Sequence, residues 1–211
     1  MDNVHVNTHP IIRDRLSRLR NKETNAQNFR QCLGEIASIL SVDATRNLPT
    51  YFKTIETPLC VMDGDFLDDK PPLIVPILRA GLALSEPLLK LLPNADTGHI
   101  GLARDHDTHE PIEYLNKLPS DLNRPIFVVD PMMATAGSMI AALDILVDRG
   151  ADVKNIIIVT LVCAPEGIEK LRQKYSSIAI YTAAVDSHLN DDAYIVPGLG
   201  DAGDRYFGTE E

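Results

Sequence analysis

Four short, unbroken apolar runs, each followed by a turn and then mostly by helical spacing, leave this chain very few folds to choose from. Leu73–Leu78 closes on Arg79-Ala80-Gly81, and Leu82–Leu92 follows with the spacing of a helix. Ile126–Asp130 passes through a loop of small residues into the helical stretch Ser138–Asp148, which stops at Gly150. Ile156–Val162 precedes Glu166–Lys174, and Ile178–Val185 is the fourth run. Runs apolar on both faces and separated by helices predict an α/β fold, a mostly parallel sheet covered by helices on both faces. Ligands of such sheets sit beyond the carboxyl ends of the strands. The functional search therefore falls on Leu78–Gly81, Asp130–Ser138, Cys163–Glu166 and the segment after Val185.

With 211 residues and no internal repeat or Gly/Ser linker, one domain is expected. Ile11, Ile12, Leu16 and Leu19 have the spacing of an amphipathic helix, and Thr24 with Gln27 forms a capping-box pattern for a second helix running to about Arg46. These N-terminal helices, over about 11–46, read as a cover or an oligomer contact for a core over about 72–185. A strand, a polar tip (Arg104–Glu110) and a return strand led by Pro111 predict a protruding hairpin arm over about 98–116. His106 and His109 at its tip have a metal-like separation, but an exposed tip without further ligands is ordinarily just solvated.

Composition removes several classes of function. Lys and Arg total 20 against 30 Asp and Glu, a net charge of −10. That argues against a broad nucleic-acid or acidic-membrane surface. The three cysteines, Cys32, Cys60 and Cys163, show no CxxC pair and read as reduced thiols. The polar opening MDNVHVNTHP lacks the apolar stretch of a signal peptide, and no apolar run is long enough to cross a bilayer. A soluble, cytoplasmic protein is the expectation.

The chemistry concentrates in VVDPMMATAGS, Val128–Ser138. Asp130 stands at the carboxyl edge of a buried strand, and Ala134, Thr135, Ala136, Gly137 and Ser138 lead into a helix. Small side chains let backbone N–H groups wrap an anion, and the helix N-terminus adds a partial positive charge in the same place. Thr135 and Ser138 can donate hydroxyl hydrogen bonds to phosphate oxygens. Asp130 would repel a phosphate but can accept from the neighbouring hydroxyls of a ribose. An anion cradle beside a sugar-reading carboxylate fits a ribose 5-phosphate. The loop lacks the Gly-Lys-Ser/Thr ending of a Walker A motif.

This segment resembles the 5-phosphoribosyl-1-diphosphate motif of type I phosphoribosyltransferases, in the form carried by uracil phosphoribosyltransferases, where Asp130 is followed by Pro131 rather than by a second acid. The family often shows two glycines before the serine, and here Ala136 replaces the first; alanine does not adopt positive φ at low cost. Tyr194–Asp204, YIVPGLGDAGD, resembles the family's uracil-binding segment almost residue for residue. Gly198, Gly200 and Gly203 also spell G-x-G-x-x-G, but a dinucleotide fingerprint needs an acid about 20 positions later, and the chain ends at Glu211.

The resemblance runs from about Asn7 to the C-terminus and implies a type I phosphoribosyltransferase fold with a C-terminal base-binding hood over about 186–208. It implies transfer of 5-phosphoribose from its 1-diphosphate to N1 of uracil, giving UMP and diphosphate. The donor site it implies comprises Arg79, Arg104, Asp130, Pro131, Met132, Met133, Ala134, Thr135, Ala136, Gly137, Ser138 and Asp201. Arg104, Asp130 and Asp201 would carry catalysis, and the backbone of Ile195, Gly200 and Ala202, beside Asp201, would read uracil. Mg²⁺ held mainly through the donor's diphosphate, GTP activation in some members, and a homodimer or larger homo-oligomer are implied in the same way. Two rivals stay open: a phosphoribosyltransferase for another base, for which paired acids would be expected, and a regulator of the same fold that binds pyrimidine-operon RNA and needs a basic face.

Overall fold

The structure, a computed structural model, describes residues 3–104 and 111–209. The hairpin tip with His106 and His109, and the side chain of Arg104, lie outside the described residues.

In chain order the elements begin with β1 (Val4–Val6), α1 (Pro10–Arg20) and α2 (Ala26–Ala44), followed by β2 (Thr50–Glu56) and β3 (Val61–Leu67). The central part comprises β4 (Leu73–Leu78), α3 (Leu82–Leu91), β5 (Asp96–Thr97), β6 (His99–Arg104) and β7 (Pro111–Lys117). Then come β8 (Ile126–Val129), β9 (Met132–Met133), α4 (Gly137–Asp148), β10 (Ile156–Cys163) and α5 (Pro165–Lys174). The chain closes with β11 (Ala179–Val185), β12 (His188–Leu189), β13 (Ile195–Val196) and α6 (Ala202–Phe207).

The main sheet runs β1-β11-β10-β8-β4-β6-β7, with β5 pairing β4 and β9 pairing β10. Its pairings are parallel except β6 with β7, which return antiparallel with Arg104 opposite Pro111. Successive residues of a strand point to opposite faces, so the continuous apolar runs feed two cores. Ile74, Phe127, Val129, Val159 and Leu161 pack against α1, α2 and α3. Leu73, Val75, Ile126, Val128, Ile156 and Ile158 pack against α4 and α5 on the other side. The predicted doubly covered sheet is therefore present, and both N-terminal helices cover one of its faces.

Helix ends show where local chemistry decides. Pro10 takes the first position of α1, where a missing N–H costs nothing, and the His9 ring accepts from the N–H of Ile11 at 3.2 Å. The cap of α2 is Asn25 rather than the expected Thr24. Asn25 is extended and its Oδ1 accepts from the N–H of Asn28 at 2.9 Å, while the Thr24 hydroxyl donates back to the carbonyl of Arg18 at 2.6 Å. Both residues suit a cap, and the tie to α1 moves the start by one position. A further hairpin, β2–β3, escapes the sequence analysis because both of its faces are largely exposed, so no apolar alternation marks it.

Candidate active site

Asp130 follows directly on β8, half-buried, and its N–H donates to the carbonyl of Val159 at 3.3 Å. The carbonyl of Pro131 accepts from the N–H groups of Leu161 and Val162, at 3.0 and 3.2 Å. Met132 and Met133 then pair in register with Val162 and Cys163, and the Met133 carbonyl accepts from Ala164 at 3.0 Å. Half of the expected loop is thus an extra strand stitched to β10. Only Ala134–Ala136 turn freely before α4, which starts at Gly137, one residue earlier than expected.

Ala136 stands at φ 59°, ψ 10°, the left-handed conformation that favours glycine. As N-cap of α4 it offers no side-chain acceptor. The first-turn N–H groups of this helix are directed toward its N-terminal end, where the turn meets open space. Behind the turn, α5 approaches so closely that a Cβ on Gly167 would lie 2.1 Å from the carbonyl of Ala134. Glycine there permits helix and loop to touch, a requirement that no spacing in the sequence announces.

The second wall is built from β12, β13 and the turn into α6. β12 and β13 pair antiparallel, and Glu166 at the start of α5 accepts from the N–H of Leu189 at 3.0 Å. That hydrogen bond holds the Glu166 carboxyl below the usual carboxylate range. Gly198 has φ +58° and would bring a Cβ within 2.1 Å of the Ile195 carbonyl, so the tight return after β13 admits only glycine. Asp201 caps α6, accepting from the N–H of Asp204 at 2.9 Å.

The two walls enclose one cleft of about 730 Å³. Asp130, Met132, Met133, Ala134, Thr135, Ala136, Gly137 and Ser138 line one side, with Ile195, Gly200 and Asp201 on the other. Three expected site residues lie elsewhere. Pro131 is buried in the sheet, and Ala202 is buried behind the cleft wall at the start of α6. Arg79, at the end of β4, pairs with Asp204 at 3.4 Å and lies 5.6 Å from the ring centroid of Phe207. It therefore faces α6 on the Asp201 side. Asp191, Asp192, Ala193 and Tyr194 also line the cleft; they fall within the hood expected over 186–208, but none was singled out as a contact, because a polar connection between two-residue strands has no distinguishing pattern.

The lining side chains carry four carboxylates, Asp130, Asp191, Asp192 and Asp201, and no lysine or arginine among the described residues. An anion in this cleft would meet backbone N–H groups, hydroxyls and the helix end rather than a lining side-chain cation. A polyanionic ligand among these acids also calls for a divalent counter-ion. No group of three or more His, Cys, Asp or Glu side chains among the described residues converges as a metal cage. The acids fit a metal that arrives on the ligand's own oxygens and needs only water-mediated acceptors from the protein.

A parallel sheet with an anion loop after the strand that bears an edge carboxylate, faced by a glycine-rich hood, defines a type I phosphoribosyltransferase. A solved hypoxanthine-guanine phosphoribosyltransferase from Bacillus anthracis shares the fold at TM-score 0.53 and 13% identity, over 76% of this chain and 80% of its own. A solved protein of Aquifex aeolicus superposes at TM-score 0.91 with 32% identity, over 98% of this chain and 99% of its own. The profile described as uracil phosphoribosyltransferase matches residues 6–209. Relatives bearing that description include one from Dictyoglomus turgidum, 52% identical over 96% of this chain and 97% of its own length, and one from Levilactobacillus brevis, 50% identical over the full length of both. The chain belongs to the uracil phosphoribosyltransferase family.

Proposed function

We propose that this protein transfers 5-phosphoribose from 5-phospho-α-D-ribose 1-diphosphate to N1 of uracil, forming UMP and diphosphate. The observation that carries this reading is the meeting of the Asp130–Ser138 loop and the Ile195–Asp201 segment in a single cleft, where a sugar and a base can share one reacting carbon. The 5-phosphate rests on the amides of Ala134–Ser138 at the α4 end, and Asp130 accepts from ribose hydroxyls. Uracil presents two carbonyl acceptors flanking one N–H donor, the complement of main-chain groups at Ile195 and Gly200, which line the cleft. Cytosine would turn an amino group toward an amide donor, leaving buried groups unpaired at a cost of roughly 1–3 kcal/mol.

The glycosidic C–O bond breaks with its electron pair leaving on diphosphate, and the C–N1 bond forms through an oxocarbenium-like transition state. The uracil N1 proton passes to the departing diphosphate or to water. The protein's work is positioning and neutralisation, with Arg79 and Arg104 offsetting the charge of the leaving group and Asp201 facing the reacting carbon. Mg²⁺ bound to the donor supplies the remaining charge compensation. The hairpin arm β6–β7 closes over the site and shields the reactive sugar from hydrolysis.

The same reading includes a homodimer or larger homo-oligomer, GTP as an effector, and a cytoplasmic setting. Phe52, Leu59 and Val61 on the β2–β3 hairpin are 77%, 95% and 66% exposed, an apolar surface that suits a second copy of the chain. No helix among the described residues is long and apolar enough to cross a membrane. The deciding experiment supplies the purified protein with donor, Mg²⁺ and a panel of bases. UMP from uracil, with no product from cytosine, orotate or purines, is expected; product from another base in place of uracil overturns the reading.

A further inference from the structure

The peptide groups just ahead of Gly200 are held from behind by charged side chains that are not among those lining the cleft. Asp186 follows β11, is 8% exposed, and anchors its own N–H on the Cys163 carbonyl at 2.8 Å. Arg20, the last residue of α1, forks onto both oxygens of the Asp186 carboxylate at 2.7 and 2.6 Å. The same guanidinium donates to the carbonyl of Gly198 at 2.7 Å, while the N–H of Gly198 donates to Asp186 at 3.0 Å. One step further, Arg205 of α6 donates to the carbonyl of Leu199 at 2.7 Å. It also donates to the carbonyls of Leu19 and Asn21 at the end of α1, with its guanidinium 4.6 Å from the Phe29 ring centroid.

Two consecutive carbonyls and one N–H are thus committed to side chains rooted in α1, β11 and α6. Arg205 already joins α1 to α6 through the carbonyls of Leu19 and Asn21, whereas its bond to Leu199 and the Arg20 bond to Gly198 act on the turn itself. What they fix is the rotation of the peptide planes that lead into Gly200. Charge-assisted, bidentate contacts in a part-buried setting give such fixing its geometric strictness.

We propose that Arg20, Asp186 and Arg205 are positioning residues for base recognition, setting the peptide groups that read the pyrimidine without touching either substrate. This rests on the assignment of Ile195–Ala202 as the base-reading segment and extends the determinants of that site to the far side of the sheet's cover. None of the three lines the cleft that holds the donor loop.

The test compares wild type with Arg20→Met and Arg205→Gln in the uracil assay, each checked for folding by thermal melt. A misplaced reader is expected to raise the KM for uracil about tenfold or more while the donor KM moves less than about twofold. Arg20→Lys, which keeps the charge but not the fork, is expected to fall between wild type and Arg20→Met. Folded Arg20→Met and Arg205→Gln enzymes with unchanged uracil KM overturn the proposal, as does a parallel rise in both KM values. Wild type that makes no UMP removes the underlying reading instead, and the two failures are told apart in one experiment.

Discussion

Ala136 holds a conformation that costs an L-residue roughly 1–2 kcal/mol, at the point where the anion turn enters α4. Its methyl group is buried in the core beneath α4, which returns about 0.8 kcal/mol of that cost. The two effects nearly cancel against the greater chain entropy of glycine. Ala136→Gly is accordingly expected to change stability by less than about 1 kcal/mol and to leave the donor KM within about twofold. A β-branched side chain at positive φ has no such balance. Ala136→Val is expected to raise the donor KM about tenfold or to lower the melting midpoint by several degrees. Steady-state kinetics and calorimetry on the pair check this, and a valine variant indistinguishable from wild type would show the turn to be less constrained than its geometry states.

At the scale of elements, the β2–β3 hairpin stands out because two strands alone are marginally stable in water. Its exposed Phe52, Leu59 and Val61 are the surface offered above to a second copy of the chain. Phe52→Asp is expected to shift the protein toward a smaller species in analytical ultracentrifugation while leaving the monomer's core intact. An unchanged sedimentation profile would remove this hairpin from the interface. The four main strands and their helices were legible because strands buried on both faces have no polar positions to blur them, as in Leu73–Leu78 and Ile156–Val162. The hairpin was not, since exposed strands carry no such contrast. In the cleft, the residues that touch it through short, local turns were legible from Asp130 to Ser138. Asp186 and Arg20 were not, because 166 positions separate them and no local pattern reports so distant a pairing. Met132 and Met133 look like loop in the sequence because a two-residue strand is too short to show periodicity.

Across the whole molecule, a charge of −10 sets the long-range field. Polyanions approaching at low ionic strength meet repulsion except where backbone amides or cations are aimed locally. In gel-shift titrations with a pyrimidine-operon RNA at low salt, no retarded band is expected. A salt-sensitive shift, with log affinity falling linearly against log salt, would favour the regulatory rival over the enzyme. The pairing of β9 with β10 has a broader consequence. It weaves the Asp130–Ser138 side of the cleft into the same lattice as the sheet, whereas the Ile195–Asp201 wall is an appendage cinched at its back. Under the proposed function, a change of nucleobase preference asks for edits in the appendage and its tethers alone, with the opposite side of the cleft inherited intact.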